Sequence, residues 1–402
     1  MTTHLKDRVS LFAETSTPWL LAASAFTIPV SSTAKSIVLA LTLITIMLVP
    51  ANREMLRTLW QKPWCKAAIL LFGFSFIACF WSSASWSLRG LVLEKYSKLL
   101  SLPILVAGFR DTRSRNLCLH AFLLAMTLTA ALSVFQTVHF VLSLPVRPDF
   151  VFRNHIMTGM MMGFAAFVAG WYAIHSHGWK RPCYLLLIAL FGYQTFFIAG
   201  GRMAYLSFLF LMLLLVFVAF PGRRVIIPAL SVCLLAVASY ALSPSMQYHV
   251  KQLVHEVQHY QQKKNTSVGF RIQFHQYAWS LFKERPLTGH GSGGYADRFE
   301  KDDPIPAWGR TRLEPHSQYW LVAAEFGIPG LLLLAFFFIS LLVECLRLPH
   351  LSAMGLAVLL PFLVGNLSDS LLLYSGSGYF FILFMALCLS DGVAFRKAAS
   401  TG

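Results

Sequence analysis

The chain has 402 residues, of which 56% are hydrophobic and only 12% charged, about half the charged share of a soluble domain. With a mean hydropathy of +0.62 and apolar runs recurring from Trp19 to Val393, it reads as a polytopic membrane protein. That excludes soluble enzymes, secreted disulfide scaffolds and disordered tails. The net charge of +16 does not point to nucleic acid, because most Lys and Arg lie in short loops between apolar runs, where membrane topology puts them.

About twelve spans are expected, near 17–31, 34–50, 66–82, 96–109, 117–141, 155–175, 183–199, 203–220, 225–243, 318–345, 351–367 and 376–393. The first and fourth are short enough to tilt or re-enter the membrane. No cleavable signal peptide is expected, because Thr17 to Val30 is followed by span after span. The fold class is thus an all-α polytopic membrane protein of about twelve transmembrane helices. Nine spans are expected over 1–243, a long hydrophilic loop over 244–317 between the ninth and tenth spans, and three spans over 318–402. The seven Cys lie in apolar segments or at their edges and none falls in 244–317, so no disulfide framework is expected there.

Charge sets the expected orientation. Lys6/Arg8, Arg53/Arg57/Lys62/Lys66, Arg110/Arg113/Arg115, Lys180/Arg181, Arg223/Arg224, Arg347 and Arg396/Lys397 share one side of the twelve-span arrangement. The short loops of the other side hold only Arg89, Lys95, Arg147, Arg153 and Arg202. This asymmetry puts both termini in the cytoplasm and the 244–317 segment on the outer face. A loop this long in a compact bundle is usually functional.

Candidate chemistry follows from polar residues on that face. Arg202 follows Gly200-Gly201 at a span end, either as a site cation or as an interfacial Arg reaching headgroups. Arg271 is expected in the loop before an apolar-periodic stretch, as a site residue or a solvated charge. Lys98, inside the fourth apolar segment, and Asp369, just past the eleventh, are costly near lipid and are therefore pathway or site candidates. Snorkelling and loop capping are their plainer readings. His316, at the outer mouth of the bundle after Pro315, is suited to act as a general base near neutral pH, against a structural role.

Two formal motifs are set aside. His255-Glu256-Val257-Gln258-His259 reads H-E-x-x-H, but it sits in a His-rich amphipathic stretch without a distinct third-ligand motif, so no metal is expected. Gly289-His290-Gly291-Ser292-Gly293-Gly294 satisfies G-x-G-x-x-G without a βαβ context. A Gly-rich turn, with its N–H groups facing an anion, is the better expectation.

In order along the chain, these elements resemble the O-antigen ligase family of polytopic glycosyltransferases. Gly200-Gly201-Arg202-Met203-Ala204-Tyr205-Leu206 resembles the family's Arg at the outer end of a span. Ser267-Val268-Gly269-Phe270-Arg271, then Pro286-Leu287-Thr288-Gly289-His290-Gly291, resembles its second Arg motif and glycine turn. His316-Ser317, nine residues, then Gly327-Ile328-Pro329-Gly330 resembles the pattern His-(Asn/Ser/Gln)-x9-Gly-x2-(Gly/Thr/Tyr). Leu367-Ser368-Asp369 resembles a late acidic motif, and Lys98 an early basic one. The similarity covers about 200–370; the remainder agrees in hydropathy and span count.

The resemblance implies a multi-pass protein of the bacterial inner membrane with its site facing the periplasm. It implies transfer of glycan from undecaprenyl pyrophosphate to lipid A–core in lipopolysaccharide biosynthesis, without metal or other cofactor and with inversion. His316 would be the base, Arg202 and Arg271 would stabilise the pyrophosphate, and Lys98 and Asp369 would bind substrate. Partners would be the donor, the acceptor and membrane lipids, with no nucleic acid, and the oligomeric state, a monomer included, is left open. O-antigen polymerase and protein O-oligosaccharyltransferase are sister readings, and a lipid-linked glycan transporter is the reading from another class.

Overall fold

The computed structural model describes residues 2–141 and 149–401, with side chains over 8–138 and 149–393. Arg147 and the side chains of Lys6, Arg396 and Lys397, all used in the charge asymmetry, lie outside the described residues. The α-helices are, in chain order, α1 (Thr2–Val30), α2 (Ser32–Leu48), α3 (Pro50–Leu59), α4 (Pro63–Ile77), α5 (Trp86–Gly108), α6 (Thr112–Val141), α7 (His155–His175) and α8 (Lys180–Tyr193). They continue with α9 (Arg202–Ala219), α10 (Ile226–Leu242), α11 (Pro244–Gln258), α12 (Ser267–Glu284), α13 (Gly294–Asp302), α14 (Gln318–Leu346), α15 (Ser352–Gly365) and α16 (Ser375–Thr401). There is no strand among the described residues.

Each of the twelve expected apolar runs falls on a helix. Among the described residues, eight helices are long and apolar enough to cross a bilayer, or nine if α2 and α3, bent by 94°, count as one span. The outside of these helices is as apolar as the sequence requires of a lipid-facing surface. No residue of α10 is buried, and its Ile227, Leu230, Leu234, Leu235 and Leu242 are all widely exposed. A surface of that kind would aggregate in water and is at home in hydrocarbon. The chain is an all-helical, polytopic membrane protein.

Two compact units interleave along the sequence. One comprises 1–49, 108–252 and 350–361; the other comprises 50–107, 253–349 and 362–402. In the first unit, α1 packs on α2 and α6, and α7 packs on α8 and α9. Small residues fix the α7–α9 pair. A Cβ on Gly159 would collide with Ala204, Gly163 lies against the Phe208 backbone and Gly170 against Leu215. Positions advance together on both helices, so they run parallel with their first turns side by side, in the close approach that small-xxx-small spacing permits.

In the second unit, α14 packs along α4 and beneath α12. Phe274, Ala278 and Leu281 of α12, Tyr295 and Phe299 of α13, and Leu321 and Ala324 of α14 form its apolar cluster. Helix α14 is broken at Gly327, whose φ of 62° and ψ of −155° are non-helical. The break exposes main-chain groups that the glycine turn after α12 satisfies. His290 N donates to Ala324 O (2.9 Å), Gly291 N to Glu325 O (2.8 Å), and Ile328 N to Pro286 O (2.8 Å). The two glycine-bearing motifs of the sequence are therefore two halves of one joint.

Candidate functional site

The second unit carries His316 in the bend between α13 and α14. Its φ of 56° is left-handed, a conformation that costs a non-glycine residue free energy and persists only when its surroundings hold it. Glu314 Oε2 accepts the His316 N–H at 2.6 Å, and His275 Nε2 donates to the His316 carbonyl at 3.2 Å. Both sides of the strained residue are pinned by side chains. His275 must carry its proton on Nε2 for this, and burial pushes its pKa below the ordinary imidazole value, consistent with a neutral ring.

The His316 ring is oriented by two carboxylates. Nδ1 lies 3.2 Å from Asp369 Oδ1 and 3.4 Å from Glu314 Oε1. A neutral imidazole facing two acceptors places its hydrogen on Nδ1, which leaves the Nε2 lone pair as the base. Asp369 is brought there by the turn after α15, where Ser317 Oγ and Gln318 N, at the start of α14, both donate to Asn366 O.

Glu314 is the hub of the site. It is 2% exposed and accepts from Arg312, with which it forms an ion pair, from Ser370 Oγ (2.7 Å) and from Tyr374 Oη (2.8 Å), besides the His316 N–H. Arg312 in turn lies over the rings of Phe274 (4.9 Å) and Trp308 (5.1 Å). Glu314, Arg312 and Tyr374 also line a cavity of about 540 Å³, with Lys95, Glu300 and Ser375.

The other sequence candidates fall as follows. Arg271 lies on α12 rather than in a loop. The helix begins earlier than expected because Thr266 caps it, accepting from Gly269 N in the first turn. Arg271 is one turn from His275, holds Ser267 Oγ at 2.9 Å, and with His316 acts electrostatically on His275. Lys98 is 1% exposed and gives its ammonium to the carbonyls of Leu372 (2.8 Å), Leu373 (3.2 Å) and Tyr374 (3.1 Å). That geometry braces the loop between Asp369 and α16. Gly378 leaves it room, since a Cβ there would come within 2.7 Å of the Lys98 Nζ. Arg202 opens α9 in the first unit.

The two discounted motifs have structural explanations. Glu256 accepts from Val268 N at the start of α12 (3.2 Å), and His255 and His259 bond to each other through their Nδ1 atoms (2.8 Å). In the glycine turn, the N–H groups of Gly293 and Tyr295 donate to the buried Glu325 side chain of the chain itself. One ligand atom each from Glu314, His316 and Asp369 lies within 4.8 Å of the others, a donor set that suits a cation. Glu314 is nevertheless neutralised by Arg312 and saturated by protein donors, which makes it a poor metal ligand.

Sequence reasoning missed Glu314, Arg312, His275, Ser370 and Tyr374. The run Arg312-x-Glu314-x-His316 was visible, but the outer segment held no acid that stood out from its neighbours.

No curated protein matches the chain. The family model described as O-antigen ligase matches residues 184–335, a segment that holds Arg202, Arg271 and His316 and leaves Lys98 and Asp369 outside. Over this segment the chain is similar to the O-antigen ligase family.

Proposed function

We propose that the protein is an O-antigen ligase that transfers glycan from undecaprenyl pyrophosphate to a sugar hydroxyl of lipid A–core, from the periplasmic face of the bacterial inner membrane. The observation that carries this reading is His316, which is held by its main chain and by Nδ1 so that Nε2 is the free base. The acceptor oxygen attacks the anomeric carbon of the donor and its proton passes to His316 Nε2. The bond from the anomeric carbon to the phosphate oxygen breaks, and its electron pair leaves with undecaprenyl pyrophosphate. Asp369 and Glu314 stabilise the imidazolium that results.

A single displacement of this kind inverts the anomeric centre, whereas retention needs a carboxylate nucleophile. Glu314 is a poor one, because its oxygens accept four protein hydrogen bonds. Arg271 and Arg202 are the proposed partners of the donor's phosphates, for which a permanently charged, bidentate guanidinium is well suited. Lys98 acts by positioning the Asp369 loop, and the 244–317 segment serves as the substrate-facing part of the chain.

Reconstituted protein supplied with both substrates and chelator tests the reading. Wild type is expected to shift lipid A–core to a larger product, and His316→Ala to lose at least about 10²-fold in rate, the usual contribution of a general base. Longer glycan or glycosylated protein in place of ligated lipid A–core would move the assignment to polymerase or O-oligosaccharyltransferase. Absence of any new glycosidic bond would leave transport as the activity to examine.

A further inference from the structure

Four stretches of the second unit line the cavity beside Glu314. Leu88, Leu91 and Lys95 stand on one face of α5, at the three- and four-residue spacing that aligns side chains on a helix. Ala296 and Glu300 of α13, the 311–314 segment and the turn Leu373 to Ser375 complete the lining. These stretches are tied to one another, so the cavity is formed before anything enters it. Ser82 Oγ donates to Ser292 O (2.8 Å) and Ser83 Oγ to Asp297 Oδ2 (2.7 Å), which holds α13 to the segment leading into α5. A Cβ on Gly293 would stand 3.2 Å from Leu88, so the start of α13 lies directly on α5. Lys98, one turn along α5 from Lys95, holds the carbonyls of Leu372, Leu373 and Tyr374.

The volume of about 540 Å³ falls within the roughly 300–1,000 Å³ of small-ligand pockets. Charge in the lining is balanced, with Lys95 and Arg312 against Glu300 and Glu314. Arg312 is paired with Glu314, and Lys95 with Glu94 of its own helix (3.1 Å). A phosphate would meet cations already answered and two carboxylates besides, which disfavours it. A pyranose ring suits the lining better. Its C–H faces pack on Leu88, Leu91 and Leu373, while its hydroxyls accept from Lys95 and donate to Glu300. Glu300 is exposed and bonded to no other side chain among the described residues. Tyr295 adds a second mark of a site. It is fully buried next to Ala296, its hydroxyl has no partner among the described residues, and it lies in the fields of Glu314 and Arg312. An unmet polar group of this kind is costly and characteristic of functional regions.

The cavity also has a fixed relation to the base. Glu314, which lines it, approaches His316 on the Nδ1 side (3.4 Å), whereas the proton is taken at Nε2, on the far side of the ring. The reacting hydroxyl therefore lies outside the cavity. We infer that the cavity takes one uncharged sugar ring of a glycan substrate, a unit flanking the one that reacts, and that Lys95 and Glu300 read its hydroxyls. Arg312 and Glu314, whose hydrogen bonds are met within the protein, form its back. That the ring belongs to a transferase substrate rests on the function proposed above; the preference for an uncharged ring does not. The ring comes either from the acceptor's core or from the donor's glycan.

Calorimetry on the full chain in nanodiscs tests the site without turnover. The probes are core oligosaccharide freed of lipid A, donor glycan freed of undecaprenyl pyrophosphate, and inorganic pyrophosphate. Wild type is expected to bind one of the two glycans. Leu91→Trp, which fills the cavity, is expected to bind it at least about tenfold more weakly, and Glu300→Gln and Lys95→Met about fivefold, with pyrophosphate affinity unchanged throughout. Should Leu91→Trp fail to fold, the two polar variants carry the test. No binding of either glycan to wild type at millimolar concentration, or equal glycan affinity in wild type and variants, would overturn the inference. Loss of pyrophosphate binding in place of glycan binding would make the cavity an anion site and overturn it too. In the ligation assay, Leu91→Trp is expected to raise KM about tenfold for the substrate whose glycan binds, with kcat within about twofold of wild type. A fall in kcat alone would put the reacting unit in the cavity, against a flanking one. If wild type joins no glycan to any acceptor, the transferase reading fails while calorimetry still decides the cavity.

Discussion

At the scale of single residues, the site depends on a charge that no substrate need touch. Glu314 reads its neighbours only as donors: Arg312, Ser370, Tyr374 and the His316 main chain. Glu314→Gln keeps the shape but turns an amide N–H₂ toward one pair of donors, which leaves donor facing donor in a buried network. Because the network aims His316, the expected result is a kcat lower by about 10–100-fold with both KM values within about twofold of wild type, measured by steady-state ligation. Asp369→Asn still offers Oδ1 to the His316 Nδ1–H, so it retains the tautomer and loses only charge. A smaller loss, of about tenfold in kcat, is expected. Equal losses in the two variants would mean that Glu314 does not organise the site.

His316 and Asp369 were legible as candidates because each is a polar group at a span end, where lipid makes such groups expensive, and the fold brings their side chains together. The sequence hid His275 and Glu314 because their roles arise only when α12 folds onto the start of α14. A helical His one turn from Arg271 and an acid two residues before His316 carry no periodic signal.

At the scale of elements, the joint between α14 and the glycine turn is the part that a single methyl group would break. Gly327 occupies a φ/ψ combination that is essentially closed to other residues, and a Cβ there would stand 2.5 Å from Pro286 O. Gly327→Ala is expected to destabilise the protein by about 3 kcal/mol or more, from backbone strain and collision together. Gly73→Ala, in α4 with nothing within 4 Å of the new methyl, is expected to be neutral or slightly stabilising. Thermal melting of the two variants side by side separates strain from mere loss of glycine.

The same region should respond to acid. Burial holds the imidazoles of His275 and His290 below their ordinary value of 6.5. As pH falls through 6.5 the unfolded chain takes up these protons before the folded one, so stability declines until pH passes the lower folded values and then levels off. The melting midpoint is therefore expected to drop between about pH 7.5 and about pH 5.5. His275→Gln, which cannot titrate, is expected to flatten part of that slope, and an unchanged slope in the variant would assign it elsewhere.

At the scale of the whole molecule, hydropathy located every helix that carries an apolar run, since bilayer thickness imposes a length that composition reveals. It did not reveal the two interleaved units, because lipid-facing and protein-facing residues are equally apolar, and which spans pack together is decided by small residues such as Gly159 and Ala204. Orientation rests on charge alone, and α10 is the decisive span. The helical stretch Gly222–Leu242 is 21 residues long, enough for about 30 Å of hydrocarbon, and none of α10 is buried by protein. It stands between Arg223/Arg224 and the polar segment that begins with α11. If it crosses, a cysteine placed at Gln262 in a background free of the native thiols is expected to react with an impermeant maleimide added from the periplasmic side. A cysteine at Arg223 is expected to react only after the inner membrane is opened. Labelling of both from one side would mean that α10 does not cross, and would put the 244–317 segment, with His316 at its end, on the wrong side of the membrane for a periplasmic donor and acceptor.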